Sequence, residues 1–251
     1  TATNQVTGKI GKALDMNEDS IDERVCLEVE NITNPSQCRG ANPIFDADVS
    51  VRTVSLWYKA DDVNTEFEQV LFEEGGVTKG QVIYLNATKI FACTTKNSGE
   101  CVSSTTTANE WHHVALVWAG SEINGSYLYH DGVQVATFTG KDNAQHDDAS
   151  ALGNIAQKTR MENGTASSGF SFDGIIDEFR VTNTARSADY IATDYNNQNT
   201  GTWQASLNVN PNHFTYEGVL LSESISFTDS ISSTEGVTLT ESVTLADSIL
   251  K

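Results

Sequence analysis

Residues 109–138 read NEWHHVALVWAGSEINGSYLYHDGVQVATF, and their pattern decides the fold. Trp111-His-His-Val-Ala-Leu-Val-Trp118 is a long strand of the buried type. Tyr127-Leu-Tyr-His130 and Val133-Gln-Val-Ala-Thr-Phe138 flank Asp131-Gly132, a dipeptide that favours a tight hairpin turn. Working outward, Val54–Tyr58, Gln81–Leu85 and Ile175–Val181 give further strands, and such signals recur about every ten residues between Gly, Asn, Asp and Ser. Helical periodicity is almost absent until Ser187, a candidate N-cap for Ala188–Asn196, where Tyr190, Ile191 and Tyr195 fall at helical spacing. Many short strands with polar turns and one late helix predict an all-β sandwich.

The chain has 251 residues, 38% of them hydrophobic, and a net charge of −19. That suffices for one large core. The charge argues against nucleic acid and anionic membrane surfaces as partners. No stretch approaches the roughly 18 apolar residues of a membrane span. The polar block Asn196–Gly201 is the best boundary, giving a domain over 1–201 and a linker and tail over 202–251.

Four cysteines allow three connectivities. The near-neighbour pairing, Cys26 with Cys38 and Cys93 with Cys101, is favoured because each pair flanks a polar loop. Disulfides imply an oxidising, extracellular or cell-surface location. Sequons at Asn31, Asn86, Asn124 and Asn163 are candidate glycosylation sites, although chance alone yields about four in a chain this rich in Asn, Ser and Thr.

Four stretches resemble, in order, the laminin-G-like, concanavalin-A-like jelly rolls found as modules in extracellular proteins. They are GKIGKALDMNEDSIDERV (8–25), VRTVSLWYKADD (51–62), the stretch 109–138, and FDGIIDEFRVTNTARSADYIATDYN (172–196). The resemblance covers about residues 8–197. It implies two antiparallel sheets packed face to face, a jelly-roll sandwich with one short late helix. Leu14, Met16, Leu56, Val114, Leu116, Val117, Val133, Val135, Phe138, Ile176 and Phe179 are expected to fill the core, with Trp57, Trp111 and Trp118 also buried.

Asp15-x-Asn17-x-Asp19-x-x-Asp22 gathers oxygen donors of the kind calcium needs, but Cys26 stands where an EF-hand has Glu and the central Gly is missing. Family members carry a structural calcium near this stretch and a late Asp-Glu strand, which would add Asp177 and Glu178 here. A solvated acidic loop is the competing reading. His112 and His113 point to opposite faces of their strand and read as structural residues. Glycosidases of this fold need paired carboxylates on a groove strand. Glu28 and Glu30 alternate, but a solvated face explains them better, and no nucleophile, zinc-protease or nucleotide motif occurs. No enzyme is expected. A lectin site would draw on exposed aromatics, for which Tyr58, Phe67, Tyr84, Tyr127 and Tyr129 are candidates.

From Glu217 a six-residue unit repeats: EGVLLS, ESISFT, DSISST, EGVTLT, ESVTLA, DSILK. In an extended chain Ile225, Phe227, Ile231, Val237, Leu239, Val243, Leu245 and Ile249 form an apolar row interspersed with acids. Such a segment has too little apolar mass to fold alone. It is similar to repetitive segments of archaeal surface proteins. Two functions follow as expectations. One is a secreted structural protein whose tail, an extended β-forming strand, adds to a neighbouring copy and builds a filament or sheath. The other is a calcium-dependent carbohydrate-binding adhesion module on a stalk, with glycans as partners.

Overall fold

The structure is a computed structural model. It describes residues 5–16, 24–27, 30–34, 38–41, 44–45, 50–65, 67–120, 124–141, 149–156, 158–162, 164–166, 170–199, 215–216 and 219–220. The strands are β1 (Gln5–Thr7), β2 (Lys12–Met16), β3 (Val25–Cys26), β4 (Glu30–Asn34), β5 (Arg39–Ala41), β6 (Arg52–Ala60) and β7 (Gln69–Gly75). There follow β8 (Lys79–Asn86), β9 (Lys89–Lys96), β10 (Gly99–Thr105), β11 (His112–Trp118), β12 (Ser126–His130) and β13 (Val133–Phe138). Last come β14 (Ser150–Leu152), β15 (Thr159–Met161), β16 (Gly164–Ala166), β17 (Gly174–Thr182), helix α1 (Ala188–Asn199), β18 (Thr215–Tyr216) and β19 (Val219–Leu220). One sheet runs β1-β2-β17-β6-β11-β12-β13 and a second runs β10-β9-β8-β7-β14-β3. The chain divides into the units Thr1–Ala205 and Ser206–Lys251. In the second unit β18 and β19 pair antiparallel. The apolar row from Ile225 to Ile249 lies outside the described residues.

The stretch 109–138 forms as its pattern dictates. His112–Trp118 pairs with β6 on one side and β12 on the other. The β12–β13 turn has positive φ at both Asp131 (50°) and Gly132 (76°), the backbone of a type I′ hairpin. A Cβ at Gly132 would sit 2.8 Å from the Tyr195 ring, so glycine is required there twice over.

Alternation then sorts the side chains. Val54, Leu56, Val114, Leu116 and Leu128 face the second sheet, where Phe72, Ile83, Leu85 and Ile90 meet them. Each large apolar side chain buried this way contributes about 1.5–3 kcal/mol. The opposite face of the first sheet carries Ala115, Val117 and Tyr129, and Ile191 of α1 closes over them. Tyr195 stacks on Trp57 at 5.4 Å, and Gln198 accepts the Trp57 indole N–H. Ser187 caps the helix, its Oγ accepting the Tyr190 amide at 3.2 Å. On the far side of the second sheet, Val70, Val82, Tyr84 and Phe91 pack under Ile155 and Met161.

Both disulfides pair near neighbours, Cys26–Cys38 and Cys93–Cys101. The second bridges directly opposed residues of β9 and β10. Closing loops of 12 and 8 residues contributes about 2–3 kcal/mol each in the chain-entropy account. A buried ion pair joins the two sheets, Arg52 Nη1 of β6 to Glu74 Oε1 of β7 at 3.2 Å, with Arg52 Nη2 also donating to the Ile44 and Phe45 carbonyls.

Three expectations about burial need correcting. Val133 and Val135 are 63% and 40% exposed. They sit on the last strand of the sheet, and Val135 has no opposite number because the register slips between Leu128 and Tyr129. Trp111 precedes its strand and is half-buried. Val117 is buried against the helix rather than in the inter-sheet core.

His113 is buried between Trp57 and Tyr195, with ring centroids 5.4 and 6.1 Å away. Burial pushes its pKa down to about 4. The neutral ring is therefore the folded form, and the unfolded chain binds more protons between about pH 4 and 6.5. Stability should fall by on the order of 3 kcal/mol across that window as acid is added, with His130, also lowered by burial, adding in the same direction. Urea midpoints of wild type and His113→Gln between pH 7 and 4 check this; the variant should show a visibly shallower slope.

Candidate functional site

One end of the sandwich gathers the loops that follow β6, β8, β10 and β12. They are laced together across the two sheets. The Asn109 amide donates to the Ala60 carbonyl at 2.7 Å, and the Thr106 amide to the Thr88 carbonyl at 2.9 Å. Gln69 Nε2 donates to the Asp62 carbonyl at 2.7 Å while Gln69 Oε1 accepts the Asp173 amide at 3.0 Å. Asp62 Oδ1 takes the Asn64 amide at 2.8 Å, and Thr65 Oγ1 donates to the Phe67 carbonyl at 2.6 Å. These bonds hold Phe67 on the rim with 63% of its surface in water. Asn86 Nδ2 reaches Glu68 Oε1 beside it at 3.5 Å. Among the described residues the rim thus presents the bare Phe67 ring beside carboxylates, amides and hydroxyls.

Behind the rim, between the sheets, lies a second polar group. Tyr58 is fully buried, its hydroxyl 2.7 Å from Thr106 Oγ1 and 3.1 Å from His130 Nε2. His112 Nδ1 meets Asp131 Oδ2 at 2.8 Å, and its Nε2 lies 2.8 Å from Thr107 Oγ1, which also donates to Glu110 Oε2. Asp131 Oδ1 accepts the His113 amide at 2.8 Å. Burial works against the Asp131 carboxylate, but the hydrogen bonds from His112 and the His113 amide, with the neighbouring imidazoles, hold it below its ordinary pKa. Burial raises the Tyr58 pKa, so its hydroxyl stays protonated.

The structure separates the other candidates. Among the proposed lectin aromatics only Phe67 is broadly exposed: Tyr58, Tyr84 and Tyr129 are buried and Tyr127 is half-buried. Tyr84 stacks on Phe91 at 4.9 Å and its hydroxyl accepts the Glu162 amide. Of the proposed calcium set, Asn17, Asp19 and Asp22 lie outside the described residues. Asp15 and Asp177 share a face of the β2–β17 pair. Asp177 accepts the Ile10 amide at 2.9 Å with one oxygen and the Glu178 amide at 2.8 Å with the other. Glu178 pairs with Arg180, which also binds Asp194 of α1. Those contacts take up part of the Asp177 and Glu178 carboxylates. Asn31 falls in β4, Asn86 at the end of β8, and Asn124 in an exposed turn; Asn163 lies outside the described residues. His112 and His113 do face opposite sides of β11, one toward Tyr58 and one toward Trp57. The pairing of His112 with His130 and Asp131 was missed, although the strand-end histidine before Asp-Gly was its visible signal.

A sequence model described as the concanavalin A-like lectin/glucanases superfamily, of laminin-G type, matches residues 41–192. No curated protein sequence matches the chain. Among solved structures, the binding domain of botulinum neurotoxin serotype D is similar at 17% identity and a TM-score of 0.54, over 78% of this chain and 45% of its own. This chain therefore spans less than half the length of that relative. Domain 4 of AbnA, an extracellular arabinanase from Geobacillus stearothermophilus solved with arabinotriose, is similar at 20% identity and a TM-score of 0.51, over 75% of this chain and 79% of its own. No described helix is long and apolar enough to cross a membrane.

Replacing Tyr58 with Phe removes the hydroxyl that joins Thr106 to His130. The variant should fold and lose about 1–2 kcal/mol in chemical denaturation, without a change in the solvent exposure of Phe67.

Proposed function

Because the chain belongs to the concanavalin A-like lectin/glucanase superfamily, we propose that it is an extracellular carbohydrate-binding module, without catalytic activity, that grips its ligand at the loop rim around Phe67. The observation that carries this reading is the ring itself, 63% exposed on a loop that hydrogen bonds hold in place. An aromatic face takes the apolar face of a sugar, and flanking amides and carboxylates take its hydroxyls. The arabinotriose bound to the AbnA domain makes arabino-oligosaccharides a sensible first probe. The two disulfides support an oxidising compartment outside the cytoplasm. Calcium is part of the proposal through Asp15, Asn17, Asp19, Asp22, Asp177 and Glu178.

A glycan array with and without EDTA tests this, followed by calorimetry on the best sugar. Phe67→Ala should weaken binding about tenfold or more while leaving stability within roughly 0.5 kcal/mol. An array blank under both conditions would count against the reading. Loss of binding in EDTA alone would locate calcium in the recognition.

A second reading rests on a different observation. β13 is an edge strand with Val133 and Val135 exposed, the kind of edge that accepts an added strand. We propose that the repeats of residues 217–251 supply such a strand to a neighbouring copy. Light scattering should then show polymers of the full chain and monomers once residues 217–251 are deleted; polymers that persist after deletion would refute it.

A further inference from the structure

We propose that His112, His130 and Asp131 form a binding site for a divalent cation of the zinc class. Each offers one donor atom, and the three atoms all lie within 4.8 Å of one another. They come from fixed places. His112 opens β11 and His130 closes β12, two residues off register on the same face, since Val114 pairs with His130. Asp131 is the first turn residue, pinned by the His113 amide at 2.8 Å. Two strands and a tight turn therefore set the spacing, and the backbone needs no rearrangement to bring the donors together.

The donor chemistry selects the ion. Two imidazole nitrogens and one carboxylate oxygen suit zinc, copper or nickel, whereas calcium and magnesium take oxygen alone. His130 is buried, and a neutral imidazole is the ligating form. The His112 and Asp131 side chains are 12% and 32% exposed, leaving an entry from the rim. A tetrahedral site with bonds near 2.1 Å has ligand atoms roughly 3.4 Å apart. His112 Nδ1 already lies 2.8 Å from Asp131 Oδ2 and the three donor atoms lie within 4.8 Å of one another, so small side-chain rotations reach that spacing, the ion displacing the proton that the first two share. The present neighbours of the two Nε2 atoms are hydroxyls, Thr107 for His112 and Tyr58 for His130. A hydroxyl that releases an imidazole lone pair to a metal stays beside the site as an outer hydrogen-bond partner. Three protein ligands leave the fourth position open to water.

The test uses the full chain, stripped with EDTA and dialysed free of it. Calorimetric titration with zinc chloride should show one ion per chain, and thermal unfolding should move up by several degrees. Calcium or magnesium chloride at the same ionic strength should move nothing. His112→Gln and His130→Gln should each weaken zinc binding about 100-fold or more. His146 and His213 are the remaining histidines outside this face apart from His113, and His146→Gln with His213→Gln should bind as wild type. Should the His130 variant fail to fold, cobalt in the wild-type chain provides the second readout: strong visible absorption of a tetrahedral ion, displaced by zinc. No heat with zinc, or unchanged affinity in the His112 and His130 variants, overturns the proposal.

Discussion

β6 is buried on both faces, and the rest of the structure follows from that constraint. Val54, Leu56 and Tyr58 point into the space between the sheets, while Trp57 points the other way. A strand so placed needs partners on both edges and cover on both sides. β11 and β17 supply the edges. The second sheet covers one face, and α1 covers the other through Tyr195 and Gln198. Leaving Trp57 bare would forfeit several kcal/mol of burial, which is why α1, the one helix among the described residues, is a structural necessity rather than an ornament.

The same strand organises the rim. Tyr58 is its last large inward residue and holds Thr106 of the loop after β10 and His130 at the end of β12. Ala60 then takes the Asn109 amide. Loops tied in this way lose little freedom when a ligand arrives, so a recognition surface built on them is preorganised. Phe67 stands exposed because its neighbours are anchored by the side-chain hydrogen bonds of Asp62, Thr65 and Gln69 and not by packing on the ring.

Strand existence was legible wherever the apolar alternation was long: β6, β8, β11, β12, β13 and β17 all stand where the pattern put them, as does α1 behind Ser187. β7, β9 and β10 were not read, because Glu73, Glu74, Thr94 and Thr95 break the apolar pattern while being buried. Their polar atoms are accommodated by tertiary partners such as Arg52 and the Ala156 and Lys141 amides, which no local window reveals. Exposure of individual aromatics was equally hidden. Tyr58 and Phe67 stand in and beside the one connection that crosses from β6 to β7 between the sheets, and only the lacing of the loops decides that one is buried and the other bare. The three-residue cluster of His112, His130 and Asp131 depends on the β11–β12 register, a long-range fact that hydrophobic pattern does not encode.

The most direct measurement is amide chemical-shift mapping of the isotope-labelled chain during titration with arabinotriose or the strongest array hit. Recognition at the rim predicts shifts confined to the β6–β7 loop around Phe67, the β8–β9 turn and the Thr106–Asn109 loop, with β4, β5 and α1 silent. Shifts centred on the β15–β16 hairpin and the outer face of the six-stranded sheet would contradict the account.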